Sequence, residues 1–275
     1  MSAREAVRDR RQKTVERLRE LGNTTFAVAH IARSAGNVPI QDAYLIAHRL
    51  VEDGLLVRVA QGLYALAERP ATLAQRLYWL ANAERFHLSH GSAMALHARA
   101  SLPPGELSVT VEGERRPAQL TRAIAVRFLD RPRKVMGELE TMQVEGLGAV
   151  PVATPETALL EGLREPDLCG GLLEVCRFAA SRHGRWDGKK LVALARKQGV
   201  DAVGRRAGLL MDWSGDPSAH ELAALAPAPN AAVASLDPHG ARRGPMDRRW
   251  RLRVNLPRED VQAALGLRTA DSSAW

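Results

Sequence analysis

The stretch "FHLSHGSAMALH", residues 86–97, gathers three histidines, two serines and a Gly-Ser pair, side chains that could bind a metal, a phosphate or a nucleophile's proton. Gly91-Ser92 would serve nucleotidyl transfer only if the next strand carried two carboxylates one residue apart to hold magnesium. That strand reads Leu107-Ser108-Val109-Thr110-Val111 and has neither, so the pair is read as a helix start. His87, His90 and His97 match no standard metal spacing and have no cysteine nearby, which favours structural or capping roles. Ser89-His90 and Ser92 with His97 are too local for a nucleophile and its base, and nothing resembles the strand-to-helix elbow of a serine hydrolase. Glu156, directly after Pro155, suits the positive end of a helix dipole. No catalytic residue, metal or cofactor is therefore expected, and the chain reads as a non-enzyme.

What remains is arginine. The net charge is +8, and 34 of the 39 basic residues are arginine. Such an excess admits an acidic partner such as nucleic acid while saying nothing of fold. Aromatics at 4% are too scarce for a base-stacking surface of the single-strand-binding kind.

The elements that would position these arginines follow from periodicity. Residues 4–21 set Val7, Val15, Leu18 and Leu21 on one helical side, with Arg4, Arg8, Arg10, Arg11, Lys13, Arg17 and Arg19 on the other. After Gly22-Asn23, Thr24 or Thr25 can cap a short second helix carrying Phe26, Ile31, Ala32 and Ala35. Pro39 suits the first position of a third, whose Ala43, Ile46, Ala47, Leu50 and Val51 share a face and whose C-cap is Gly54. Leu55, Val57 and Val59, then Leu63 and Ala65, alternate on either side of a turn containing Gly62, which predicts a hairpin beside the third helix. Three helices, a short turn and a hairpin within about 65 residues predict a winged helix-turn-helix, with the third helix lying in the major groove.

Gln41, Tyr44, His48 and Arg49 on the outer side of that helix are the expected base readers. Arg58 and Gln61 on the wing, with Arg10 and Arg11 on helix one, are the expected phosphate contacts. Asp42 can accept from a cytosine amine or cap the helix.

From Pro70 the pattern restarts. A helix over "ATLAQRLYWLANAERF" is followed by a helix at 89–101, strands at 107–113, 124–130, 138–146 and 148–155, and a helix opened by Thr154-Pro155-Glu156. Residues 167–214 read as three helices, "APAPNAAVASLDPHGARRGP" as a linker and "RRWRLRVN" as a late strand. The expected class is α+β: a winged helix over residues 1–69 followed by a mixed α/β domain over 70–275. Cys169 and Cys176, seven apart in what reads as one helix, are too far apart to bridge and are taken as buried thiols of a reducing compartment. No apolar run approaches a bilayer span, and the charged start lacks a signal-peptide core, so a soluble cytoplasmic protein without membrane contact is expected.

The order of several pieces carries a resemblance: the basic N-terminal region closing on "GLYAL", then "SHGSAMALHARA", Arg115-Arg116 between strands, "VPVATPETALLEGL", "RRAGLLMDW" and "RRWRLRVN". Together they resemble the AbiEi family of antitoxins, the repressor halves of type IV toxin–antitoxin and abortive-infection operons. The resemblance spans nearly the whole chain. It implies an N-terminal winged helix that binds inverted repeats of double-stranded DNA in its own promoter, and a C-terminal domain that counters a nucleotidyltransferase-like toxin without requiring a direct complex. The hairpin reads Ala60-Gln61-Gly62 where the family often has a proline before the glycine. Arg205, Arg206, Arg249 and Arg251 then become candidate contacts for toxin or nucleic acid. The alternatives are a winged-helix regulator with a ligand-sensing C-terminal domain and no toxin, a nucleic-acid-processing enzyme, and a protein-binding module.

Overall fold

The computed structural model describes residues 3–23, 25–81, 86–99, 105–113, 118–121 and 123–267. Thr24, Arg115 and Arg116 lie outside the described residues, as do the side chains of Arg4, Val7 and Arg8. The fold is mixed α+β, and the chain divides into two compact units, Met1–Ala83 and Glu84–Trp275.

The first unit runs α1 (Ala3–Glu20), β1 (Phe26–Ala27), α2 (Val28–Ser34), α3 (Ile40–Glu52), β2 (Leu56–Ala60), β3 (Leu63–Leu66) and α4 (Leu73–Leu80). Its core joins Val15 and Leu18 of α1, Ile31 of α2, Ala43, Ala47 and Leu50 of α3, and Phe26, Leu56, Tyr64 and Leu66 of the sheet. The sheet order is β1-β3-β2, all antiparallel. Phe26, expected in the second helix, instead pairs with Tyr64 across the sheet. The reason is tertiary: Val28 N donates to Gly62 O at 3.1 Å, so the chain entering α2 is held against the hairpin turn. Gly54, at φ +70, follows the C-cap Asp53, and Leu55 N donates back to Leu50 O at 2.9 Å.

The division falls after Ala83, whereas the sequence suggested residue 69. Helix α4 belongs with the first unit: Trp79 packs against Val59, Leu63 and Ala65, and Arg76 Nη2 donates to Val59 O at 3.2 Å. Thr72 caps it reciprocally with Gln75, the two bonds measuring 3.2 and 2.9 Å. It ends at Leu80, earlier than the sequence pattern suggested.

The second unit begins with β4 (Phe86–Leu88), α5 (His90–Arg99), β5 (Gly105–Val111), β6 (Ala118–Gln119), β7 (Ile124–Asp130), β8 (Leu139–Val144), β9 (Gly148–Ala153) and α6 (Pro155–Arg164). It continues through α7 (Leu172–Ser181), α8 (Gly188–Gln198), α9 (Asp201–Ser214) and α10 (Ala219–Leu222). It closes with β10 (Ala234–Ser235), β11 (Met246–Asp247), β12 (Leu252–Arg253) and α11 (Arg258–Ala264). A mixed sheet of order β6-β7-β5-β4-β9-β8 carries its buried run at β5, β4 and β9, where Leu107, Val109, Val111, Leu88, Val150 and Val152 are fully buried. Helix α6 is buried from Glu156 to Leu163. Gly162 admits it to close packing, because a Cβ there would lie 2.3 Å from the Met94 methyl of α5.

Cys169 and Cys176 do not share a helix. Cys169 ends a short 3-10 turn at Pro166–Cys169, Gly170 and Gly171 at positive φ break the chain, and Cys176 lies in α7. Both are free thiols, and burial pushes Cys176 up to about 12. Among the described residues no helix is long and apolar enough to cross a membrane.

Candidate nucleic-acid interface

Helix α3 turns Ala43, Ala47 and Leu50 into the core, which fixes what it presents outward. At about 100° per residue, Tyr44, His48, Gln41, Leu45, Arg49 and Asp42 follow one another over roughly 160° of its circumference. All six are exposed, Leu45 at 65% and Tyr44 at 44% relative accessibility. The four expected readers therefore share one outward face. His48 Nδ1 stands 3.5 Å from Glu52 one turn on, an exposed pair that holds His48 weakly.

Each flank of this face has its own neighbour. On the Tyr44 side lies the β2–β3 turn: Gly62, at φ +74, lacks the Cβ that would stand 3.3 Å from the Tyr44 hydroxyl. Exposed Gln61 precedes it in that turn, and Arg58, cross-strand from Tyr64, donates from Nε to Ala60 O at 3.4 Å. Burial raises the Tyr64 phenol above its ordinary value, and the nearby Arg58 guanidinium opposes that rise. On the Arg49 side, Arg10, Arg11, Val38, Asp42, Leu45, Ile46 and Arg49 line a cavity of about 240 Å³. Helix α1 thus brings two of its arginines beside α3.

The two are not equivalent. Arg10 is exposed and its side chain has no acceptor among the described residues. Arg11 is partly covered and its Nη1 lies 2.5 Å from Asp53 Oδ2, so it ties α1 to the end of α3 before any phosphate arrives. Arg17 and Arg19 are also engaged, with Ser34 O at 3.0 Å and with both Glu68 oxygens at 2.8 Å. Leu45, which the sequence reading missed, is the most exposed apolar residue of this face. Its signal was present, since it sits four residues after Gln41 and outside the buried set.

The second basic group needs correction. Arg205 and Arg206, candidate contacts for toxin or nucleic acid, are 5% and 6% exposed. Arg205 Nη1 donates to Ala232 O at 2.8 Å and its Nη2 lies 3.0 Å from Asp201. Arg206 donates from Nε to Ser235 O and from Nη1 to Leu163 O, each at 3.0 Å. Arg251 is half-buried with Nε on Ala231 O at 2.6 Å, which leaves it little freedom to reach a partner. Arg253 Nη1 donates to Arg242 O. The stretch read as a linker is in this way held by four arginines on its own carbonyls. Arg249 stays on the surface, paired with Asp212 at 2.9 Å and 5.4 Å from the Trp250 ring centre.

The histidines of residues 86–97 are covered and hydrogen bonded within the second unit. His87, fully buried, hydrogen bonds through Nε2 with Glu161 Oε1 at 3.0 Å, and Glu161 Oε2 accepts from His90 N at 3.2 Å. Burial alone would push the Glu161 carboxyl up, yet His87 and His90 leave it below its ordinary value. His90 Nε2 reaches Glu165 at 3.2 Å, and Arg131 pairs with the same carboxylate. These two hold the Glu165 carboxyl at about 2, the His90 hydrogen bond contributing most. His97 Nε2 donates to Ala153 O at 2.8 Å. Ser92 Oγ accepts from Ser108 N at 2.9 Å, and a Cβ on Gly91 would lie 2.7 Å from Leu168 O, so the Gly-Ser pair serves packing at the start of α5. Glu156, in the first turn of α6, is buried and pairs with Lys190 at 3.0 Å. No group of three or more potential metal ligands occurs among the described residues.

No family model matches the chain, and no curated protein matches it. Among solved structures the chain is similar to the RV2827C protein from Mycobacterium tuberculosis, with a TM-score of 0.62 and 16% identity over 94% of this chain and 95% of that one. At that identity the likeness carries the fold alone.

Proposed function

We propose that the chain is a DNA-binding transcriptional autorepressor and antitoxin of the AbiEi type, whose first unit is a winged helix-turn-helix. The observation that carries the reading is the outward face of α3, where Gln41, Tyr44, His48 and Arg49 stand together between the Gly62 turn and Arg10. A face of this kind suits the major groove: Arg49 can bond a guanine edge, Gln41 an adenine edge, and Leu45 can cover a thymine methyl. The β2–β3 hairpin is then the wing, with Arg58 and Gln61 reaching the backbone on one side and Arg10 on the other. The antitoxin role, countering a nucleotidyltransferase-like toxin, rests on the order of sequence motifs alone.

The test is a gel-shift of the purified protein against the DNA upstream of its own gene, with scrambled competitor, at two salt concentrations. Specific retardation that weakens steeply with salt and disappears in Arg49→Ala supports the reading. A shift equal on scrambled DNA, or none at low salt, rejects it and leaves the first unit as a protein-binding module. Co-expression with the neighbouring gene product, scored by growth, tests the antitoxin half separately.

A further inference from the structure

Arg206, Arg242 and Arg253 line one cavity of about 440 Å³ in the second unit, together with Val233, Ala234, Ser235 and Pro238. The volume falls in the range of small-molecule sites. No carboxylate stands among these lining residues. Asp237 is the acidic group that acts on Arg206, and its Oδ1 already accepts from the His239 amide at 3.0 Å.

The three guanidinium groups are held differently. Arg206 is buried and oriented by two carbonyls, while its remaining terminal nitrogen has no acceptor among the described residues. Arg253 is half-buried and anchored on Arg242 O, which brings the backbone of Arg242 to the rim. The Arg242 side chain is exposed and has no partner among the described residues. Burial lowers Arg206 to about 10, with Asp237 opposing and Arg205 adding a smaller part. Three arginines around one concavity with no carboxylate in its lining suit the oxygens of a phosphoryl group, which guanidinium donors recognise by charge and geometry together.

We propose that this cavity binds a small phosphorylated ligand, a phosphomonoester or diphosphate whose phosphoryl group sits among Arg206, Arg242 and Arg253. The site lies wholly in the second unit and does not depend on DNA reading by the first. A groove-bound duplex presents singly charged diesters on its outside, while Arg206 is reached only by a group that enters the cavity. This favours a free ligand over a nucleic-acid backbone.

The experiment is calorimetric titration of the full chain with inorganic pyrophosphate at fixed ionic strength, repeated with Arg242→Glu and Arg69→Glu. Arg242→Glu reverses a rim charge without touching the carbonyl that anchors Arg253. Arg69→Glu, in the first unit, makes the same change in net charge elsewhere. The expected result is one saturable site, weakened at least about tenfold by Arg242→Glu and unchanged by Arg69→Glu. Absence of saturable binding overturns the proposal, as does equal weakening by the two variants. Displacement of bound pyrophosphate by duplex DNA would assign the cavity to a nucleic-acid backbone and overturn it as well.

Discussion

Arginine serves two opposite purposes in the two units. Around α3 of the first unit, Arg10, Arg49 and Arg58 keep exposed guanidinium groups on the surface. In the second unit, Arg205, Arg206, Arg251 and Arg253 turn their donors onto carbonyls of residues 163 and 231–251, so a segment poor in regular structure still has its peptide groups satisfied. The difference teaches that a guanidinium is committed by what surrounds it. In the first unit Arg17 and Arg76 also bond carbonyls, but beside helix and sheet ladders, and Arg10 and Arg49 are left outward; where the ladders shrink to the two-residue strands β10, β11 and β12, arginine replaces them.

The sharpest way to break that comparison is Arg206→Met. The methionine fills similar volume but leaves Leu163 O and Ser235 O without their donor, at about 1–3 kcal/mol for each buried orphan, so a loss of about 2–6 kcal/mol is expected. Urea denaturation of the full chain measures it. A loss under about 1 kcal/mol would mean the carbonyls find water, and the buried arginines would then not be structural. Arg49→Ala is the converse. It should leave stability within about 0.5 kcal/mol and cost about 1–3 kcal/mol of operator affinity by removing one bidentate base contact. Arg58→Ala should weaken all sequences alike and by less.

The two arginine uses look the same in the sequence, and the reason is locality. The face of α3 was legible because Ala43, Ala47 and Leu50 repeat at helical spacing and leave Gln41, Tyr44, His48 and Arg49 outside. The hairpin was legible because its alternation breaks at Gly62. Arg205 and Arg206 read as a solvated face because their acceptors, Ala232 and Ser235, lie far along the chain in a stretch whose Pro and Gly content suggests a linker. Phe26 was misplaced for the same reason, its partner Tyr64 being distant. The split between Cys169 and Cys176 had a local signal, Gly170-Gly171, that the helical reading passed over. Motif order held packing information that spacing alone did not disclose. Gly208 of "RRAGLLMDW" leaves room for Trp250 of "RRWRLRVN", whose ring would lie 2.0 Å from a Cβ there, and Asp212 accepts from the indole nitrogen at 2.5 Å.

Arg131 stands between the two uses: half-buried, it donates from Nη1 to a carbonyl, Asp130 O, at 2.8 Å and pairs through Nη2 with the Glu165 carboxylate. The Glu165 carboxyl, held at about 2 by His90 and Arg131, lies below its free value of about 4.3. Its stabilisation is therefore complete above about pH 5 and is lost as pH falls toward 2. Allowing for solvent screening of a partly exposed group, about 1–2 kcal/mol is at stake. Glu165→Gln should lower stability at pH 7 by that amount and flatten the decline between pH 5 and 3, read by urea midpoints at each pH. An unchanged acid limb would place the pair with the exposed, weakly held arginines.

The smallest effect separates neighbours on α1. The exposed Arg10 side chain has no acceptor among the described residues, so Arg10→Ala should reduce the slope of log affinity against log salt by about 0.9, the contribution of one neutralised phosphate. Arg11 already neutralises Asp53 at 2.5 Å. Its removal exposes an acidic group beside the end of α3, so the intercept should fall while the slope changes little, and stability should drop by no more than about 1 kcal/mol. Equal slopes for the two variants would mean that Arg11 leaves Asp53 when DNA binds. The line between free and committed arginines would then be drawn by the partner and not by the fold.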